Sequence, residues 1–105
     1  MRERLLHRIA SQSDHPDYKH AALIIEGNRI LAMASNLASK HAEIRALRKM
    51  PGSGKGRMLV SSRTGAGGAL RMALPCAACM KAIKQAGIKT VRYSDEKGMW
   101  MEIEL

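Results

Sequence analysis

"LPCAACMKAIKQAG", residues 74–87, holds both cysteines of the chain. Cys76 and Cys79 lie directly behind Pro75, at what the sequence predicts to be the start of a helix. Pro75 suits a first helical turn, and Gly87 followed by Ile88 fits a C-terminal cap. An i, i+3 spacing on a helix turns both thiols to one face. A helix N-terminus carries partial positive charge and free N–H groups, which favour thiolate over thiol. The pair can be read as a disulfide, as a redox couple or as part of a metal site.

A second helix start bears on the choice. "HAEIRALRKM" (41–50) predicts a helix opening on His41, with Glu43 two residues on. Ile44 and Leu47 are expected inward and Arg45, Arg48 and Lys49 outward, and Pro51 with "GSGKG" ends it. If the two helix starts converge, one imidazole and two thiolates supply three zinc ligands. No third cysteine exists to close the site. Three protein ligands plus water is the catalytic zinc pattern, whereas structural sites use four. Glu43 then has a role other than ligation. Zinc lowers the pKa of a bound water toward ~7, and a carboxylate beside that water can take its proton and pass it to a leaving group. His41-Ala42-Glu43 followed by Pro75-Cys76-Ala77-Ala78-Cys79 is the pattern of zinc deaminases acting on bases. A thioredoxin-like pair would leave His41 and Glu43 unexplained.

The remaining elements fall around these helices. "RERLLHRIASQ" (2–12) puts Leu5, Leu6 and Ile9 on one helical stripe. "SDHPDYK" (13–19) is a turn cluster, with His15, like His7, at the surface. "HAALIIEGNRILAMAS" (20–35) reads as two strands around a Gly27-Asn28 hairpin turn. "RMLVSS" (57–62) is a strand and "RTGAGGALRMAL" (63–74) a Gly-rich loop. "KTVRYS" (89–94) and the alternating "MWMEIEL" (99–105) should pair antiparallel across "DEKG". The order α-β-β-α-β-α-β-β predicts a single domain, residues 1–105, of α/β class: a three-layer, mixed five-stranded sheet with helices packed on it and an antiparallel last hairpin.

Composition limits the function classes. The chain is 105 residues with 46% apolar residues, one globular domain's worth. Phe is absent and Met numbers eight, so Met, Leu and Ile are expected to fill the core, with homo-oligomer contacts adding support. No apolar run approaches the ~20 residues of a membrane span, and "MRERLLHRIA" is too charged for a signal peptide. Two cysteines without an export signal point to the cytoplasm. The net charge is +9, and no acid stands between Ile44 and Ser94. That basic middle suits a phosphate-bearing ligand. Its phosphate or nucleic-acid candidates are Lys55, Arg57, Arg63 and Arg71.

"KHAEIRALRK" and "PCAACMKAIKQAGIKTVRYS" resemble the two zinc motifs of the cytidine and deoxycytidylate deaminase superfamily, and the element order follows its fold. The resemblance implies Zn2+ held by His41, Cys76 and Cys79, with Glu43 as proton shuttle. It implies zinc-hydroxide attack at an amidine-type carbon, C4 of cytosine or C6 of adenine, with loss of ammonia. It also implies that the Ala42 N–H and the Leu74 carbonyl face the base and that Asn36 contacts the sugar. His41 and the antiparallel ending resemble different subgroups, so the resemblance does not fix the substrate.

Two substrate classes therefore stand: a cytidine or deoxycytidine nucleotide or nucleoside, and cytosine, less readily adenine, in single-stranded DNA or RNA. Only Tyr18, Tyr93 and Trp100 could stack on a strand's bases. A zinc-stabilised nucleic-acid binding module without activity is a third reading, against which Glu43 speaks. His20 opens a strand and could line a pocket, and Trp100 could pack under the first helix.

Overall fold

The computed structural model describes residues 3–13, 19–37, 41–65 and 69–105. The turn around His15 and Tyr18, and residues 66–68 of the Gly-rich loop, lie outside the described residues. The elements are α1 (Glu3–Ala10), β1 (Lys19–Glu26), β2 (Arg29–Ser35), α2 (Ala42–Lys49), β3 (Met58–Thr64), β4 (Leu70–Arg71), α3 (Ala77–Gln85), β5 (Thr90–Ser94) and β6 (Trp100–Glu104).

The strands form one mixed sheet in the order β2-β1-β3-β5-β6, with β4 paired to β3 outside that path. β1 runs antiparallel to both β2 and β3. β3 and β5 are parallel, and β5 and β6 close the sheet as the expected antiparallel hairpin. The sheet thus has five principal strands and a sixth of two residues. β3 runs on to Thr64, and the chain folds back so that Leu70 and Arg71 pair with Thr64 and Arg63. Residues expected within a loop are there because they take up the free edge of β3.

β1 is the middle of the core. It alternates Ala22 and Ile24 toward one face with Ala21, Leu23 and Ile25 toward the other. On the first face α2 and α3 bring Ala42, Ala46 and Ile83 against Leu59 and Val91. On the second, α1 lays Leu6, Ile9 and Ala10 over Leu23 and Val60, with Trp100 packed at the border. Trp100 is half-buried against that cluster, with the Arg92 guanidinium 5.6 Å from its ring centroid.

Two expectations about side chains are corrected. None of the described methionines is in the buried core, which is built from Ala, Leu, Ile and Val. Alanines let the helices approach the sheet closely; Met50, Met58 and Met80 pack half-buried against the core clusters, and Met33, Met72, Met99 and Met101 are exposed. The fully buried face of α2 is Ala42, Glu43 and Ala46; Leu47 packs half-buried against the core as expected, while Ile44 is half-buried without joining it. Its basic residues do not all point into solvent: Arg45 Nη1 donates to the Ser35 carbonyl and Lys49 Nζ to that of Met33 at 3.3 Å.

The turn after α2 packs on the end of α3. Gly54 N–H donates to the Ala86 carbonyl at 2.7 Å, and a Cβ on Gly54 would meet that same oxygen at 2.7 Å and Ile88 Cδ1 at 2.8 Å. The backbone cannot open without losing the bond. Gly54→Ala should therefore cost about 1–3 kcal/mol, the range for overpacking, read as a lower urea midpoint at constant m-value.

Candidate active site

The β1–β2 and β1–β3 pairings set the end of β2, the start of β1 and the end of β3 side by side. α2 follows β2 and α3 follows the segment after β3, so both helices open at that edge. His41 is the N-cap residue of α2 and Cys76 that of α3. Ligand atoms of His41, Cys76 and Cys79 all lie within 4.8 Å of one another, and Cys79 Sγ is 3.2 Å from His41 Nδ1. A tetrahedral zinc with sulfur at ~2.3 Å and nitrogen at ~2.0–2.1 Å needs donor separations of roughly 3.5–3.8 Å. The observed spacing brackets that range, and one imidazole with two thiols is a zinc donor set. His41 and Cys76 are exposed and Cys79 buried, so the cluster is open on one side. Neither cysteine is in a disulfide.

The two thiols differ. The N–H of Cys79, then the Cys79 thiol and the N–H of Ala78, hold the Cys76 pKa below its ordinary value. Burial, then the Glu43 charge and Cys76, push Cys79 up to about 12. A cation between them would favour thiolate at both.

Glu43 lies in the first turn of α2 and is 1% exposed. Burial pushes its carboxyl above the ordinary range, although a hydrogen bond from its own backbone N–H and the charges of His41 and Arg63 act the other way. Its Oε1 has no hydrogen-bond partner among the described residues. His20 Nδ1 stands 3.5 Å from that oxygen. His20 is itself 5% exposed; its Nε2 is 2.7 Å from Ser61 Oγ, and Ser61 donates to the Ala73 carbonyl at 2.9 Å. Burial first, then Arg63 and His41, bring the His20 pKa down to about 3. The sequence placed His20 at a strand start without assigning it a partner. The available signal was its two-residue spacing from Ala22 and Ile24, which puts all three on the α2 face. Ser61 carried no comparable signal.

The other expected site residues divide between the two ends of the sheet. Ala42 is buried at the start of α2, and Leu74 is exposed just before Pro75. Asn36 closes the first hairpin: its Oδ1 accepts from His20 N–H at 2.9 Å and its N–H donates to the His20 carbonyl at 3.1 Å. Arg63 pairs with Arg71 at the same edge as the cluster. Lys55 and Arg57 precede β3, at the opposite edge. Arg57 is engaged there, donating to the Pro51 carbonyl at 2.5 Å and lying 3.7 Å from Glu26 Oε1.

A family model described as "Cytidine and deoxycytidylate deaminase zinc-binding region" matches residues 2–95. Together with the His-Cys-Cys cluster it supports Zn2+ as the cofactor. RibD of Acinetobacter baumannii is similar in structure at a TM-score of 0.66 and 17% identity, over 89% of this chain and 27% of that one. The chain thus spans about a quarter of the length of RibD. The apo dCMP deaminase from cyanophage S-TIM5 is similar at 0.61 and 24% identity, over 90% of this chain and 82% of that one. The same protein in complex with dCMP and dUMP gives 0.63 at 24% identity, over 90% and 76% of the two chains. At these identities the likeness is one of fold. No curated protein matches the chain.

A histidine kept neutral inside the fold must take up a proton when the chain unfolds in acid. The folded pKa of His20, about 3, lies below its ordinary 6.5. The unfolded chain therefore binds the extra proton as pH falls below 6.5, and stability is lost from there down toward pH 3. The expected slope is about 1.4 kcal/mol per pH unit for one proton. Urea midpoints across this window, compared with those of His20→Gln, should show a shallower acid loss in the variant.

Proposed function

From the premise that the chain belongs to the cytidine and deoxycytidylate deaminase family, we propose that it hydrolyses the 4-amino group of cytosine in a cytidine or deoxycytidine nucleotide or nucleoside. The observation that carries this reading is a buried carboxylate beside an open His-Cys-Cys cluster: Glu43 is 1% exposed, and its charge is felt by both thiols.

His41, Cys76 and Cys79 would hold the zinc ion, which supplies Lewis acidity toward a water at the cluster's open side. Glu43 takes a proton from the attacking water and passes it to N3 of the ring. It then carries the second water proton to the exocyclic nitrogen, the C4–N4 bond breaks, and ammonia leaves while C4 keeps the oxygen. Burial suits Glu43 to this traffic, because it raises the carboxyl above its ordinary range and so makes it a better proton acceptor than an exposed carboxylate. In this reading the Ala42 N–H and the Leu74 carbonyl, beside the two helix starts, meet the base. Asn36 contacts the sugar in this reading, and it also ties the first residues of β1 in place.

The placement of the bases favours a free nucleotide or nucleoside over a polynucleotide. Arg63 and Arg71 stand at the cluster's edge and could meet one phosphate. Lys55 and Arg57 stand at the far edge, away from the cluster, and Arg57 is already engaged with Pro51 and Glu26. The cyanophage deaminase of the same fold was solved with dCMP and dUMP, which fits a nucleotide. The free thiols of Cys76 and Cys79 fit a reducing compartment such as the cytoplasm. Met99, Met101 and Leu105, exposed on and beside the edge strand β6, fit a homo-oligomer.

Glu43→Gln should retain zinc and fold, and lose turnover on the order of 10²-fold or more. Ammonia release from cytidine, dCMP, cytosine, adenosine and a cytosine-bearing oligonucleotide should be largest for dCMP or cytidine. Oligonucleotide binding to Glu43→Gln should weaken with salt at a log–log slope no steeper than about −0.7, one phosphate's worth. Lys55→Ser with Arg57→Ser should leave that slope unchanged. A steep slope with idle mononucleotides would transfer the reading to single-stranded nucleic acid.

A further inference from the structure

The sheet edge that carries the His-Cys-Cys cluster also sets two arginines side by side. Arg63 on β3 stands opposite His20 on β1 and opposite Arg71 on β4. Directly opposed residues share a face of a sheet. Both arginines are therefore on the face of His20, Ala22 and Ile24, which α2 covers with Ala42 and Ala46. The Arg63 charge acts there on both Glu43 and His20.

Arg71 has a fixed backbone and an unengaged head. Ser94 Oγ donates to the Arg71 carbonyl at 2.8 Å, and Ala73 N–H donates to the Ser94 carbonyl at 2.8 Å, so β5 pins the chain on both sides of Met72. The Arg71 side chain is exposed, and among the described residues its guanidinium has no hydrogen-bond or ion-pair partner. Its stem lies across Gly65, where a Cβ would stand 3.1 Å from Arg71 Nε and 3.5 Å from Cγ; the missing side chain leaves it that path. Like charges directly opposite one another destabilise a strand pair. β4 is only two residues long, Leu70–Arg71, and one of the two carries this repulsion without a return to the fold.

We propose that Arg71, with Arg63 beside it, holds the phosphate of a cytosine mononucleotide and makes the enzyme select a phosphomonoester over a nucleoside. A planar guanidinium meets two phosphate oxygens at once. A phosphomonoester carries about −1.5 to −2 charges near pH 7, which two neighbouring guanidiniums match. A phosphodiester within a strand carries one charge per nucleotide and matches them less well. Arg71 is a specificity-determining residue in this account: it touches the phosphate and none of the reacting atoms. β4 folds back along β3 to bring it there, which gives the two-residue strand a use. The inference rests on the deaminase reading of the cluster and narrows its substrate.

The test compares ligands that differ only in the phosphate. In the zinc-loaded parent, kcat/KM for dCMP should exceed that for deoxycytidine by about tenfold or more, the worth of one charge-assisted hydrogen bond. Arg71→Gln should lower that ratio about tenfold or more, chiefly through KM for dCMP. Its zinc content should be unchanged and its urea midpoint no lower, since a like-charge pair is relieved. Arg71→Lys keeps the charge without the fork and should recover only part of the preference. Calorimetry reads the same site without turnover: dUMP should bind the Glu43→Gln protein about tenfold or more tighter than deoxyuridine, and adding Arg71→Gln should remove that margin. A parent that turns over deoxycytidine as well as dCMP, or an Arg71→Gln protein with the full preference, would overturn the phosphate site alone. Faster turnover of a cytosine-bearing oligonucleotide than of dCMP would overturn it in favour of a strand phosphate. A zinc-loaded parent idle on every cytosine substrate would overturn the deaminase reading, and the substrate assignment with it.

Discussion

The parallel pairing of β3 with β5 is the constraint from which the site follows. Two parallel strands cannot be joined by a tight turn, so the chain must cross back over the sheet before the second begins. Here α3 makes that crossing and therefore opens at the carboxyl end of β3, where open α/β sheets bind ligands. β1, antiparallel to β3, begins at that end and β2 finishes there, so α2 opens beside α3. One histidine and two cysteines at the helix starts meet because of strand direction rather than through any direct contact sought between them.

The same geometry buries a carboxylate. Glu43 is on the α2 face that meets the sheet, between Ala42 and Ala46. Burying a charged group without compensation is strongly unfavourable. The chain answers with a hydrogen bond from the Glu43 backbone N–H and with the nearby charges of His41 and Arg63. A carboxyl so placed is poorly suited to stabilising the fold and well suited to exchanging protons. Fully buried polar side chains such as Ser61 and Ser94 surround the segment before α3: Ser61 donates to the Ala73 carbonyl and Ser94 to that of Arg71. The core itself is alanine-rich, which lets both helices sit close enough for their first turns to converge.

Much of this was legible in residue pattern. Period-2 alternation gave the hairpin around Gly27-Asn28 and the last pair of strands, and Gly87, with a φ of 89°, ends α3 as its type suggests. The spacing of His41, Glu43, Cys76 and Cys79 marked the site because ligand types at two helix starts have few other uses. What could not be read depended on contacts between distant segments. The pairing of Leu70 with Thr64 needs β3 to offer an edge. The burial of His20 needs Ser61 and Glu43 to arrive from β3 and α2. The basic middle looked like one patch in sequence, but strand direction sends Lys55 and Arg57 to one end and Arg63 and Arg71 to the other. The methionines, read as core by composition, border it instead: Met50, Met58 and Met80 pack against it half-buried, while Met33, Met72, Met99 and Met101 are exposed.

The central claim is that one nitrogen and two sulfurs of this chain hold a zinc ion and leave it open to water. X-ray absorption at the zinc edge of the purified protein tests it most directly. The account predicts about one zinc per chain with two sulfurs near ~2.3 Å and one nitrogen plus one further light atom near ~2.0–2.1 Å. A shell of four sulfurs, or one with no sulfur at all, would contradict it.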